Sequence, residues 1–274
     1  MSRELWNKSG ISEYTYITSS EKHPTGAKHD GERVGKENKM TDKMIENNQV
    51  TIMGEIVGAF SFSHEIFGEG FYMVDIRVPR LSDSSDIIPL MISERLLDVK
   101  QDYTGRKIKV TGQFRSYNRH EERRNKLVLS VFVREVEFID QIVENEKTNL
   151  IFLDGYICKE PIYRKTPLGR EIADLLLAVN RPYGKSDYIP CISWGRNARY
   201  AGSFSVGERC RIWGRIQSRE YMKKLSEETT EKRVAYEVSV SKLEVGHDET
   251  QEVAGQTQTG TDAEPRIDCM LVAE

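Results

Sequence analysis

The chain has 274 residues, 30% of them charged and 38% hydrophobic, with a formal net charge of -3. That length allows about two domains of ordinary size, and the low apolar share leaves part of the chain outside any core. No apolar run approaches the roughly 18 residues that cross a bilayer, and the opening MSRELWNKSG has no secretory stretch, so a cytoplasmic protein without a membrane partner is expected.

Residues 1–48 are rich in Ser, Thr, Lys, Glu, Asn and Gly and show neither a helical nor a strand period, which predicts a disordered N-terminal arm. Charge then divides unevenly: the arm is neutral, residues 49–148 carry -2, residues 149–245 carry +5, and the remainder carries -6. Residues 246–274 read as an acidic, solvated tail closed by a short apolar cluster, Met270 to Ala273, which is either plain disorder or a peptide that docks on a protein partner.

Cys158, Cys191, Cys210 and Cys269 lie far apart with no CxxC pair, and the five histidines are scattered. No metal site, disulfide framework or cofactor is encoded, and the first three cysteines, set among apolar and β-branched neighbours, read as structural thiols.

An internal repeat governs the middle of the chain. Gly54 and Ile56 recur as Gly155 and Ile157, Arg80 as Arg181, and SDIIP at 85–89 as SDYIP at 186–190, all 101 residues on. GRKIKVTGQFRS at 105–116 recurs as GERCRIWGRIQS 102 residues on, and VFVREVEF as VSVSKLEV after 107. The offset grows only where a loop would lie. In the second copy, strands are expected at about 149–158, 170–180, 187–194, 208–217 and 233–245, with room for a short helix in RNARYAGSFSVG. The expected fold is therefore all-β, two tandem five-stranded OB-fold barrels at 49–148 and 149–245.

The second copy resembles the bacterial single-stranded DNA-binding proteins. RKTPLGREIADLLLAVNRPYGKSDYIPCISWGRNA, GERCRIWGRIQSREY and AYEVSVSKLEV carry the likeness in the family's order across nearly all of residues 149–245. The first copy shares the layout but few of those residues. The resemblance implies binding of single-stranded DNA, with base-stacking aromatics at Tyr188 and Trp194 and further aromatics at Tyr183 and Tyr221. It also implies particles of four OB folds, which two folds per chain would reach as a homodimer.

The residues themselves support the same chemistry. Holding a strand without reading its sequence needs cations for phosphates and flat faces for unstacked bases. On the third strand, alternation sets Tyr188, Pro190, Ile192 and Trp194 on one face and Ile189, Cys191 and Ser193 on the other. Arg164, Arg181, Lys185, Arg196, Arg215 and Arg219, with Lys165, Arg170, Lys223 and Lys224, are the expected phosphate contacts. Trp194 as a core residue, the tyrosines as ordinary surface rings and the cations as a solvated face are the alternatives. Trp213 is left outside the site.

In the first copy Ile87 and Ser93 stand where Tyr188 and Trp194 would be, so weak binding or a role in assembly is expected there, although Phe67, Phe71, Tyr72 and Tyr117 remain. The tail departs from the family's usual ending, which puts recruitment of replication or repair proteins through it in doubt. No phosphate-cradling G-x-x-x-x-G-K-[ST], H-E-x-x-H or G-x-S-x-G is present, so no enzyme is expected. The second function kept open is an OB-fold adaptor for proteins of a replication-restart or conjugative machine.

Overall fold

The computed structural model describes residues 47–246, apart from 83, 122–123, 144–146 and 225–229. The N-terminal arm up to residue 46, Cys269 and the tail from 247 on lie outside the described residues.

Alternation of β-branched residues with polar ones drives the first copy into β1 (Asn48–Ile66), β2 (Glu69–Pro79), β3 (Ser85–Ser93), β4 (Lys107–Glu121) and β5 (Arg124–Ile139). They pair in the order β2-β3-β5-β4-β1, and β1 pairs with β2 to close the sheet into a barrel. The second copy forms β6 (Asn149–Ile157), β7 (Ile162–Lys165), β8 (Glu171–Arg181), β9 (Lys185–Trp194), the helix α1 (Arg196–Ala201), β10 (Arg209–Lys224) and β11 (Thr230–Val245). It repeats the order as β6-β10-β11-β9-β8, closed by β6–β8 pairing. Both have the OB-fold arrangement.

Inward positions fill each barrel. Ile52, Ile76, Ile88, Leu90, Ile108, Phe114 and Val131 line the first, while Leu153, Leu177, Val179, Ile189, Ile212, Ile216 and Val238 line the second, all fully buried. Leu175, Leu177 and Val179 point inward and Leu176, Ala178 and Asn180 outward, as the alternation of β8 requires. Cys191 and Cys210 are buried in the second core, where burial pushes the Cys191 thiol far up and the Cys210 thiol up to about 12, and Cys158 is half-buried.

The repeated glycines mark close backbone approaches. A Cβ on Gly112 would stand 2.2 Å from the Phe132 carbonyl oxygen, and one on Gly214 would stand 2.3 Å from that of Ser239. Each glycine follows a bulge in its β4–β5 or β10–β11 ladder, where the strand bends to close the barrel.

Some boundaries differ from the expectation. β10 and β11 run on as a long ribbon well past residue 217, because their register continues without interruption from Gly214↔Val240 to Lys224↔Thr230. Pro161 breaks what is one continuous strand in the first barrel, so β7 appears as a separate strand paired with β8. The helix closes only the second barrel; at the same place in the first, turns after Ser93 carry Leu97 into the core.

The two barrels are joined edge to edge by β1 and β6. In that antiparallel pair Val50 faces Ile151, its own repeat counterpart, so the barrels are related by a pseudo-twofold axis through this point. As β1 leaves β4 to pair with β6, the Asn48 side chain takes over the ladder: it donates to the Phe114 carbonyl at 2.8 Å and accepts from the Phe114 N–H at 2.9 Å. Asn149 does the same for Ile216 at 2.7 and 2.9 Å.

Candidate nucleic-acid interface

The outer face of the second barrel is built from β7, β8 and β9. Because Ile189, Cys191 and Ser193 are packed inward, Tyr188, Pro190 and Trp194 emerge on the opposite side. Trp194 is 39% exposed and Tyr188 is half-buried. Ile192, on the same side, is buried. The two rings are six positions apart along the strand, a span of roughly 20 Å.

Cross-strand register then fixes what surrounds them. Arg164, Ile172 and Trp194 form one row across β7, β8 and β9, with Arg164 and Trp194 flanking the buried Ile172. Arg164 also reaches Asp174 at 2.8 Å, a half-exposed pair that holds the guanidinium on this face. Ala178 faces Tyr188 and Leu176 faces Pro190, an apolar floor between the rings. Arg196 opens α1 immediately beyond Trp194 and is exposed. Tyr163 donates to Glu171 at 2.7 Å and Arg199 pairs with the same carboxylate at 2.9 Å; the Tyr163 hydrogen bond and the nearby Arg199 hold that half-buried carboxyl below its usual range.

At the other end of the face, Tyr183 is fully exposed in the β8–β9 turn, in the left-handed region at φ 64°, beside the exposed Lys185. Tyr221, 38% exposed, stands with Arg219 on the outward side of the β10–β11 ribbon. Arg219 meets Glu237 at 3.5 Å and remains largely solvated. Lys165 and Arg170 are exposed in the β7–β8 hairpin.

Two of the expected phosphate ligands are placed elsewhere. Arg181 lies 3.2 Å from Asp187, which is fully buried, and Arg215 lies 3.2 Å from Asp86 while also donating to Gln217 at 3.1 Å. Both belong to the seam between the barrels. There the Ser218 N–H of the second barrel donates to Asp86 of the first at 2.7 Å, and the Ser116 N–H of the first donates to Asp187 of the second at 2.7 Å. Ile87 N–H reaches Ser218 Oγ at 3.2 Å and Tyr188 N–H reaches Ser116 Oγ at 2.8 Å, completing the symmetry. Arg80 adds a hydrogen bond of 2.7 Å to Asp86.

The two seam carboxyls differ. Burial opposes ionisation at Asp86, but Arg80, the Ser218 N–H and Arg215 together bring its pKa below the usual value. At Asp187 burial prevails over Ser116, Arg181 and Arg115, and the pKa is raised. Arg115, half-buried and close to Arg181, has its own pKa lowered to about 10, chiefly by desolvation.

Trp213 packs on Phe152 at 5.1 Å between ring centres with the Lys242 ammonium 4.6 Å from its ring, a structural cation–π contact outside the interface. Among the described residues no cluster of His, Cys, Asp or Glu is arranged to hold a metal ion, and no helix is long and apolar enough to cross a membrane.

Fold and face together define an OB-fold barrel with an open outer surface bearing rings and cations. Residues 148–245 match the single-strand binding protein family. Over 80 residues the chain is 36% identical to single-stranded DNA-binding protein 2 of Listeria innocua and 35% identical to single-stranded DNA-binding protein A of Bacillus subtilis. Those matches take in 27% of this chain and 50% and 46% of the two relatives, so the chain spans about half their length. The wild-type single-stranded DNA binding protein from Thermus aquaticus has a similar fold, with a TM-score of 0.54 at 17% identity, over 78% of this chain and 96% of that one.

Proposed function

We propose that this protein binds single-stranded DNA without reading its sequence, through the outer face of the second barrel. The observation that carries this reading is the emergence of Trp194 and Tyr188 on one side of β9, while Ile189, Cys191 and Ser193 pack inward. Bases stack on these two rings, on Tyr183 at the turn and on Tyr221 along the ribbon. Arg164, Lys185, Arg196 and Arg219 neutralise phosphates, whereas Arg181 and Arg215 act by holding the seam. The chain divides functionally near residue 148, with the second barrel as the main binding unit. No metal, cofactor or catalytic step takes part.

Such an activity protects exposed strands in replication, recombination or repair. Two OB barrels per chain make a homodimer the smallest assembly with four, and solution mass with and without a long oligothymidine measures it. The direct test is quenching of intrinsic fluorescence by oligothymidine. Quenching that saturates and weakens as salt rises is expected, whereas equal affinity for duplex DNA or no quenching defeats the proposal.

A second reading, an adaptor for proteins of a replication-restart or conjugative machine, is favoured by one surface: Phe62, Ile66 and Phe67, exposed by 62%, 47% and 94% on the β1–β2 hairpin. Replacing Trp194 and Tyr188 by Ala separates the two, since an adaptor keeps its partners after that change.

A further inference from the structure

The two barrels carry the same hairpin with opposite charge. In the first, β1 and β2 turn at Phe67 and Gly68; in the second, β7 and β8 turn at Leu168 and Gly169, 101 residues on. Both glycines take left-handed backbone, at φ 77° and 76°, so the two turns run alike. Each lifts one apolar side chain into solvent: Phe67 is 94% exposed and Leu168 86%. An apolar side chain at a solvated tip adds nothing to its own core and gains only when another surface covers it.

The charges beside the tips differ. In the β1–β2 ladder Glu65 faces Gly70, and the Gly70 N–H donates to Glu94 at 2.9 Å, which sets two exposed carboxylates beside one glycine. Arg95 is drawn to Glu69 instead, at 3.1 Å. In the second barrel the place of Glu69 is taken by Arg170 and that of His64 by Lys165, both exposed. The acids near them are already engaged, Glu171 by Tyr163 and Arg199, and Asp174 by Arg164. Each hairpin therefore keeps these ion pairs within its own barrel and offers its remaining charge outward.

Pairing either hairpin with its own kind would bring like charges together, whereas acidic on basic joins opposite ones. A contact between unlike surfaces can repeat from one molecule to the next.

We propose that the acidic β1–β2 hairpin of one molecule docks on the basic β7–β8 hairpin of the next along a shared strand, Phe67 against Leu168, and Glu65 and Glu94 against Lys165 and Arg170. The inference rests on the function proposed above, because the strand is what brings neighbours together. A contact of this small area is weak between free molecules and counts once a common strand raises their local concentration. Lys165 and Arg170 then serve the neighbour, and phosphates are left to the cations of the outer face.

The test uses the full chain on two oligothymidines, one of roughly 30 nucleotides that holds one particle and one of roughly 150 that holds several. The unchanged protein is expected to bind the long strand about tenfold tighter per site than the short one. Phe67→Ala is expected to bind the short strand as the unchanged protein does and to lose that gain. Glu65→Lys with Glu94→Lys makes both hairpins basic, and Lys165→Glu with Arg170→Glu makes both acidic. Each of these variants alone should lose the gain, and an equal mixture of the two should recover it, because every contact then joins unlike charges. A gain that is absent from the unchanged protein, kept by Phe67→Ala or not recovered by the mixture overturns the inference and leaves the second barrel's role intact. A fall in the mass of the free particle in Phe67→Ala also overturns it, since the contact then lies within the particle. If the unchanged protein binds neither strand, the proposed function has failed and the inference with it. Circular dichroism checks the charge-reversed variants; should either be unfolded, Phe67→Ala decides alone, since its side chain is exposed at the tip.

Discussion

Ser116 of the first barrel and Asp187 of the second are joined at 2.7 Å from N–H to carboxylate, and Ser218 and Asp86 repeat the contact at 2.7 Å on the other side of the axis. One chain therefore contains the kind of self-complementary interface that two identical subunits form. The motif SD-x-I-P occurs twice because each aspartate fastens its barrel to the ribbon of the other.

Asp86→Asn should weaken the fold by about 3 kcal/mol, because Arg80 and Arg215 are left beside a buried amide instead of a charge. Asp187→Asn should cost less, since ionised Asp187 is already opposed by burial. Urea unfolding followed by circular dichroism measures both.

The same pair gives opposite pH dependence. Asp86 has a folded pKa below its ordinary 3.8, so its contribution is present above that value and is lost as pH falls through the folded pKa. Asp187 has a folded pKa above 3.8, so the folded state takes up its proton first and gains stability as pH falls through that pKa. Compared with the unchanged protein, Asp86→Asn should lose stability less steeply in acid and Asp187→Asn more steeply. Unfolding midpoints from neutral pH down to acid distinguish the two slopes.

Trp194→Ala should lower affinity for oligothymidine by about 1 to 3 kcal/mol, with little change in salt dependence. Arg196→Ala should instead make the slope of log affinity against log salt shallower by about 0.7. Arg181→Ala and Arg215→Ala should lower the unfolding midpoint more than they change that slope, because their partners are the seam carboxylates. Salt titrations of the four variants, beside their melting curves, test the assignment.

Gly214→Ala should destabilise the second barrel by about 2 kcal/mol or more, since the added carbon would meet the Ser239 carbonyl oxygen at 2.3 Å and the backbone has to yield. Gly112→Ala should act alike in the first barrel, against Phe132. Thermal unfolding of each variant checks this.

The repeat, its five-strand pattern and the face of β9 that carries Tyr188 and Trp194 are legible in the order of the residues. Period-two alternation reports directly which side of a strand is buried, and Gly54, Gly112, Gly155 and Gly214 recur wherever a barrel closes. Which cations lie on the outer face and which hold the seam follows from the folded arrangement alone. Arg181 and Arg215 look like Arg164 and Arg196 in one dimension, and their carboxylate partners lie in another strand or in the other barrel. The same holds for Phe71, Phe132 and Arg115: they are far apart in the chain and become one stack only when β2, β3, β5 and β4 lie side by side, because cross-strand neighbours are set by pairing register and not by position along the sequence.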